Sequence, residues 1–492
     1  MTDTTRTSLA ARLHELAAAA PDRIAVSAAE GSLTRGELDA DSDVRARELV
    51  QLGVRPGHFV CVVLPNGLEF VSVLVAIWKA GAVPVPLSAR LTGAELTELI
   101  DLLDPWVVVG ADPAVTGGRP CLPPGHHPAD HPEVTLDRSV ISPSWKAIGS
   151  GGSTGRPKVI VATASASLAE QHLDVSALGI AEEDASVVTA PLSHNGPFIG
   201  LVHTLLLGGR VVFTGRFDPE KVLATVQRER ATWLYLVPTM MSRIWKLPEE
   251  VRGAYDLSSL RVIIHMGAPC PAWLKRAWVD WLGPDRFLEM YTSTEGVVVF
   301  VATGREWLRR PGTVGLPRGG EVQVRSVDGE VLPPGATGQV WVRRAAELGS
   351  SYRYLGASAH ADSHGWETFG DIGRLDEDGY LYIEDREADM ILVGGSNVYP
   401  AEIEAALLDH PAVEDCCVIG LPNDDLGQVP HAIVYATGEV DEAALAEHAA
   451  GRLAPYKRPR SHEFVESALR DAAGKVRRRQ LRSDRLAGVR PG

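Results

Sequence analysis

The sequence predicts an α/β protein: a large N-terminal domain of parallel sheets with helices plus a small β-barrel-like part, and a small mobile C-terminal α+β domain. Three observations carry this expectation. Short Val- and Ile-rich runs alternate with helical periodicity, the pattern of strands joined through helices into parallel sheets. Between residues 320 and 343 the texture changes. There residues 321–325 and 338–342 alternate apolar and polar side chains around the turns Asp328-Gly329 and Pro333-Pro334-Gly335, as antiparallel strands do. A second change falls near Asp385, after which the chain carries its own strand and helix signals. The boundary is placed there, giving domains 1–385 and 386–492.

Taken in order, residues 9–20 read as an amphipathic surface helix, because Arg12, His14 and Glu15 interrupt the apolar run. Residues 58–64 read as a strand, 67–80 as a helix and 81–85 as the next strand. Further strands are expected over 184–190, 210–214, 232–237 and 260–265. The C-terminal signals lie over 401–408, 414–420 and 441–453, and residues beyond about 481 read as a flexible tail. The most apolar stretch, 71–87, is broken by Lys79, Pro84 and Pro86 and is too short to span a bilayer. No membrane segment or signal peptide is expected, and no solenoid repeat is present.

The 492 residues are 45% hydrophobic and 23% charged, ordinary for a globular chain. A formal net charge of −15 argues against a nucleic-acid partner, which would require a basic face. The dense basic cluster Arg477-Arg478-Arg479 is explained as well by a solvated tail as by a partner. The five cysteines, Cys61, Cys121, Cys270, Cys416 and Cys417, are odd in number and lack a CxxC spacing. They point to neither a disulfide framework nor a zinc site, and fit a cytoplasmic location.

The strongest local signal is Ser150-Gly151-Gly152-Ser153-Thr154-Gly155-Arg156-Pro157-Lys158. Glycines allow close backbone approach, hydroxyls and amide N–H groups can form an anion site, and Lys158 adds a mobile charge. Composition alone leaves a Gly/Ser surface loop as an equal reading. A Walker loop is disfavoured, because Val159, not a hydroxyl residue, follows the lysine.

Further motifs follow in order. They are His194 in Pro191-Leu192-Ser193-His194-Asn195-Gly196; Val237-Pro238-Thr239; Met266-Gly267-Ala268-Pro269; Tyr291-Thr292-Ser293-Thr294-Glu295-Gly296; and Pro311-Gly312-Thr313-Val314-Gly315. After these come Phe369-Gly370-Asp371-Ile372-Gly373, Asp385-Arg386, the segment 391–404 with Gly394 and Gly395, and Ala473-Gly474-Lys475-Val476. Each alone has a bland explanation: a helix cap for Thr294-Glu295, a turn for Asp371, surface charge for Lys475.

Together, and in this order, the motifs resemble those of the adenylate-forming superfamily, which includes acyl-CoA synthetases, peptide-synthetase adenylation domains and firefly luciferase. The resemblance implies an ATP-dependent acid–thiol ligase using Mg2+ and coenzyme A. Its phosphate loop would comprise Ser150, Gly151, Gly152, Ser153, Thr154, Gly155 and Lys158. It implies that Gly267, Ala268, Pro269 and Tyr291 border adenine, that Thr294 meets phosphate and that Glu295 holds the metal. Asp371 and Arg386 would hold the ribose, and His194 would sit beside the carboxylate. Gly394 and Gly395 would line the pantetheine tunnel once the small domain rotates. Lys475 would be the catalytic lysine, a cation between two mutually repelling anions. This chain departs from the pattern at Gly151, Val159, Thr292 and Ala388, the last being the hinge position.

Two stretches, 194–198 and 269–283, look most like ligases for bile-acid or steroid side chains. They imply a bulky, mostly apolar, ring-containing acid. Its pocket is expected between residues 194–200 and 237–241, with Gly196 and Gly200 emptying one wall and Phe198, Met240 and Met241 lining others. Free coenzyme A is the expected acceptor. The alternatives are a stand-alone ligase loading a carrier protein and a non-catalytic nucleotide-binding scaffold. A monomer or homodimer is expected.

Overall fold

The computed structural model describes residues 7–151, 157–170 and 175–487. Its largest sheet has 13 strands. Ile24–Ala28, Arg210–Phe213, Ala185–Val188, Trp233–Leu236, Val262–His265 and Phe287–Tyr291 lie side by side and parallel. Four of them fall on the expected runs 184–190, 210–214, 232–237 and 260–265, whereas Ile24–Ala28 and Phe287–Tyr291 lie outside them. Helices such as Asn195–Leu206 and Ala272–Leu282 bury Phe198, Leu201, Trp278 and Val279 against them.

From Phe287–Tyr291 onward the sheet becomes antiparallel, through Val299–Thr303 and Thr313–Arg318 to Leu381–Arg386. The strands Asp371–Leu375, Gly338–Arg344 and Gly320–Arg325 complete it. The antiparallel part expected over 320–343 is therefore joined to the parallel sheet by hydrogen bonds. Gly315 makes the join possible. Its φ is 104°, and a Cβ there would lie 2.0 Å from the Val301 carbonyl oxygen. The pairing register shifts between Thr313 and Gly315, a bulge that redirects the strand.

A second, four-stranded parallel sheet holds Val83–Pro86, Phe59–Val62, Val107–Val109 and Cys121–Leu122. Pro84 and Pro86 are tolerated because Val83–Pro86 is an edge strand. Val83, Val85 and Leu87 share a core with Ala147, Val159 and Val161. That core carries a three-stranded sheet of Ala147–Gly151, Pro157–Ala162 and Tyr352–Leu355, which bears the candidate phosphate loop.

The C-terminal part forms its own five-stranded sheet, in which Val413–Asn423 and Gly427–Ala436 pair over their length. Helices Pro400–Leu408 and Glu442–Ala450 cover it through Ile403, Leu407, Leu445 and Ala449. Beyond residue 481 the expected tail is instead a helix, Arg478–Leu486. Arg482 donates to the Gly420 carbonyl (2.9 Å) and Arg485 pairs with Glu463 (2.8 Å). Arg478 joins Glu404 (2.5 Å) and Asp389 (3.2 Å), so one member of the basic cluster is internal rather than solvated. Arg470 meets the same Glu404 at 2.7 Å and Asp415 at 2.5 Å. A charge pattern of this kind draws a basic helix inward, which a reading of charge as solvated surface misses. Among the described residues, no helix is long and apolar enough to cross a membrane, and all five cysteines are free.

Candidate active site

The antiparallel pair Ala147–Gly151 and Pro157–Ala162 sets Ser150 opposite Lys158. Gly152, Ser153, Thr154 and Gly155 lie outside the described residues. Lys158 reaches back to Glu295 Oε1 (3.1 Å) and to the Tyr354 hydroxyl (3.1 Å), with its ammonium 4.4 Å from the Tyr354 ring centroid. The Tyr354 hydroxyl donates to the same Glu295 oxygen at 2.5 Å. Burial alone would raise the Glu295 pKa. The Tyr354 hydrogen bond and the Lys158 charge outweigh it and hold the carboxyl below its ordinary value. Glu295 is thus a buried carboxylate with one oxygen, Oε1, fixed by two donors. Thr294 and Glu295 sit in a turn closed by Gly296 N–H to Ser293 O (3.1 Å), so neither caps a helix.

Tyr291 ends the strand Phe287–Tyr291, and its hydroxyl donates to Asp371 Oδ2 at 2.5 Å. Burial, then the Asp371 charge, raise the phenol well above its ordinary pKa, so the proton stays on tyrosine. The other Asp371 oxygen meets Arg386 Nε at 3.2 Å. Strand pairing sets Asp371 opposite Arg386, which is why two residues separated by a hairpin form one unit.

His194 precedes the helix Asn195–Leu206. Burial, then the Lys475 charge, push its imidazole down to about 4, so it is neutral at pH 7. Lys475 lies on a tight turn. Asp471 Oδ1 accepts from the backbone N–H of Ala473 and of Lys475, both at 2.9 Å. Gly474 has φ 75°, and a Cβ there would lie 3.4 Å from Val237 Cγ2 and 3.5 Å from Thr239 Oγ1. A Cβ on Gly267 would lie 3.7 Å from the Ala473 carbonyl oxygen. The turn of the small C-terminal unit therefore rests on the segments Val237–Thr239 and Gly267–Pro269. Desolvation, then the Arg386 charge, lower the Lys475 pKa, with Glu295 and Lys158 also within electrostatic reach.

The structure thus gathers Lys158, Glu295, Arg386, His194 and Lys475 into one electrostatic neighbourhood. Tyr291 and Asp371 join it through Arg386, and Gly267 through the lysine turn. It does not bring in Gly394 and Gly395. These occupy an exposed turn between Ile391–Val393 and Ser396–Val398, and a Cβ on Gly395 would meet nothing within 4 Å.

Sequence reasoning missed Tyr354 and Asp471. The signal for Tyr354 was available as the alternation Tyr352-Arg353-Tyr354 in a short strand, but its pairing with Pro157–Ala162 is not local. The expected acyl wall also differs. A Cβ on Gly196 would lie 2.8 Å from Met266 Sδ and 2.9 Å from the Tyr235 hydroxyl, and one on Gly200 would lie 2.8 Å from Trp233 Cη2. The space these glycines leave is filled by the Met266 thioether, Tyr235 and Trp233, and Phe198, Met240 and Met241 are core residues. Glycine here admits large neighbours and leaves no opening of its own.

A parallel strand leading to a buried carboxylate, an aspartate–arginine pair on antiparallel strands and a lysine-bearing turn define an adenylate-forming enzyme. The AMP-binding enzyme family model matches residues 13–144 and 148–352, and the model of the AMP-binding enzyme C-terminal domain matches residues 402–475. The chain belongs to the AMP-binding enzyme family. It is 31% identical to a 2-succinylbenzoate–CoA ligase of Bacillus cereus, over 94% of this chain and 95% of the relative. The o-succinylbenzoate CoA synthetase of Bacillus subtilis, in complex with its acyl-adenylate intermediate, matches at TM-score 0.81 and 26% identity, covering 96% and 97%. The anthranilate CoA ligase AuaEII in complex with anthranoyl-AMP matches at TM-score 0.83 and 25% identity, covering 98% of each chain.

Proposed function

We propose that this protein is an AMP-forming acyl-CoA ligase for a ring-containing, mostly apolar carboxylic acid, in particular an aryl acid. The observation that carries the reading is the packing of the Lys475 turn against Val237, Thr239 and Gly267, which puts Lys475 within electrostatic reach of Glu295, Lys158, Arg386 and His194. The carboxylate oxygen attacks the α-phosphorus of ATP, the bond to the β-phosphate oxygen breaks, and pyrophosphate leaves. The thiol of coenzyme A then gives up its proton and attacks the acyl carbon. The acyl–oxygen bond breaks and AMP leaves. Lys475 bridges the two anions in the first step, and neutral His194 lies beside the acid without adding to the local positive charge.

Asp371 and Arg386 hold the ribose, with Tyr291 orienting Asp371. Gly267, Ala268 and Pro269 border adenine, and Thr294 and the loop from Ser150 to Gly155 meet phosphate. The donor set fits Mg2+: Glu295 is held ionised, and a hard carboxylate oxygen that shares the ion with water and phosphate suits it. Mg2+ bound there supplies charge neutralisation of the phosphates. We place the domain boundary after Asp385, at the end of the strand Leu381–Arg386, beyond which the five-stranded sheet follows. Gly394 and Gly395 serve only after the small domain turns about this boundary. Free thiols fit the cytoplasm.

The aromatic filling at Gly196 and Gly200 favours a single-ring aryl acid over a steroid-sized one, in keeping with the aryl acids named for the relatives. Coenzyme A, rather than a carrier protein, is the acceptor named for those relatives. The test is pyrophosphate release with and without coenzyme A for benzoates, a polycyclic carboxylate, a medium-chain fatty acid, acetate and an amino acid. A substituted benzoate should give the highest kcat/KM. Preference for acetate or an amino acid would defeat the substrate assignment. Release of no pyrophosphate with any acid would leave the scaffold reading.

A further inference from the structure

The helix Pro238–Trp245 meets the small C-terminal unit at both ends. At its start, a Cβ on Gly474 of the lysine turn would lie 3.4 Å from Val237 Cγ2 and 3.5 Å from Thr239 Oγ1. At its end, the Lys246 ammonium donates to the Val413 carbonyl, and Arg243 Nε pairs with Glu414 Oε1 at 3.0 Å. The helix between these contacts has 8 residues, about 12 Å at 1.5 Å per residue. A third contact uses other elements on both sides. The Trp273 indole N–H donates at 3.2 Å to the carbonyl of Ala405, one of the last four of the helix Pro400–Leu408, which a helix leaves without its own N–H partners. One contact would let a rigid unit pivot. Contacts on the lysine turn, the start of Val413–Asn423 and the helix Pro400–Leu408 resist it.

Both sides of this contact are firm. Met240, Met241 and Ile244 are buried in the large core, and the Trp278 indole N–H donates to the Met241 carbonyl at 3.1 Å. Arg243 lies against the Phe217 ring, 5.0 Å from its centroid. In the small unit, Leu407 and Val413 are fully buried in its own core. The charges are complementary as well. Desolvation lowers the Lys246 pKa, and Glu414, Asp415 and Asp409 of the small unit act against that fall. Arg477 and Glu95 also bridge the two parts at 2.8 Å, but an exposed pair contributes little.

We propose that Arg243, Lys246 and Trp273 are positioning residues for adenylate formation, holding the small unit in the orientation that presents Lys475. This rests on the acyl-CoA ligase reading and adds to it how the first orientation is held. The three act on the chemistry through Lys475. Their bonds to Glu414, Val413 and Ala405 must open before the small unit turns to bring Gly394 and Gly395 to the thiol. Weakening them therefore costs the first half-reaction and spares the second, whereas a defect in local packing would not distinguish the two.

The experiment measures the half-reactions separately, using the acid of the panel above that the wild type activates fastest. The first is read as pyrophosphate release with Mg2+ and ATP, the second as acyl-CoA formation from the supplied acyl-adenylate of that acid. Arg243→Glu sets two carboxylates against each other at the contact, and Arg243→Glu with Glu414→Arg restores an opposite-charge pair. Arg243→Glu should slow pyrophosphate release by at least about fivefold, with acyl-CoA formation at or above the wild-type rate, and the charge swap should recover most of the loss. Lys246→Met with Trp273→Phe removes both carbonyl donors and should slow pyrophosphate release by roughly tenfold or more, again sparing the second step. The charge-swap arm changes only side chains at the rim of the contact and decides the matter if the Lys246–Trp273 variant does not fold. Unchanged pyrophosphate release in Arg243→Glu, equal losses in both half-reactions, or no recovery in the swap would overturn the proposal while leaving the ligase reading intact. Absence of pyrophosphate release by the wild type with every acid would remove both.

Discussion

Tyr354→Phe removes one oxygen and tests the geometry around Glu295. The lost hydroxyl donates at 2.5 Å to the carboxylate oxygen that also accepts from Lys158 at 3.1 Å. Hydrogen bonds to charged groups contribute about 1.5–3 kcal/mol. Glu295 is 6% exposed, so water replaces the donor poorly and the upper half of that range applies. Two consequences follow. The Mg2+–ATP half-saturation should rise by roughly 40- to 140-fold, because about 1.4 kcal/mol is a factor of ten. The acid limb of adenylate formation should move to higher pH. The sign is fixed: Tyr354 helps hold the Glu295 pKa below its ordinary value, the ionised form is the working one, and activity is lost as pH falls through that pKa. Without the hydroxyl the pKa rises and the loss begins sooner. Pyrophosphate release is measured against Mg2+, ATP and pH. Thioester formation from supplied acyl-adenylate is the control, since it bypasses the triphosphate. An unchanged Mg2+–ATP dependence and an unchanged acid limb would refute the positioning role. Equal damage to both half-reactions would mark a packing defect around the Tyr352–Tyr354 pair.

Lys475→Ala should lower adenylate formation by roughly 10²- to 10³-fold, the effect of removing one stabilising donor, while sparing thioester formation from supplied acyl-adenylate; equal loss of both would contradict the two-orientation account. Gly395→Leu should do the reverse, slowing thioester formation and leaving pyrophosphate release intact, because the exposed turn has space for the side chain in the present orientation and the backbone strain at its φ of 84° falls on a turn outside the gathered charges. Gly315→Ala should destabilise the fold by several kcal/mol in a denaturation experiment, since its Cβ would overlap the Val301 carbonyl at a φ of 104°; a wild-type midpoint would show that the two parts of the sheet are not locked together there. Glu404→Gln should cost about 3–5 kcal/mol, because it leaves Arg470 and Arg478 with a reduced buried counter-charge.

The parts of the fold legible in the sequence are those set by local patterning. The strands Phe59–Val62, Arg210–Phe213, Trp233–Leu236 and Val262–His265 fall inside the runs read as strands, because buried parallel strands are continuous apolar stretches. The helix Leu9–Ala19 shows the opposite texture and was equally readable. What escaped depends on partners far along the chain. The tail became a helix because Glu404, Glu463 and the Gly420 carbonyl draw in Arg478, Arg485 and Arg482. Tyr354 entered the site through pairing with the phosphate-loop strand. Gly196 and Gly200 looked like empty volume, but a glycine in a sequence does not say whether ligand or protein will fill its space. For the candidate site, ordered motifs pointed to Lys158, Glu295, Asp371, Arg386, His194 and Lys475, which the structure brings near one another. Only the three-dimensional arrangement revealed that Tyr291 holds Asp371 and that Lys146 is buried without an anion among the described residues.

The central claim is that the gathered charges activate a carboxylate through its adenylate. The most direct measurement incubates the enzyme with Mg2+, ATP and a substituted benzoate without coenzyme A, and follows the bound product by mass spectrometry. The account predicts an acyl-adenylate with one pyrophosphate released for each, converted on adding coenzyme A to acyl-CoA and AMP. Formation of ADP and phosphate, or of AMP without any dependence on the acid, would contradict it.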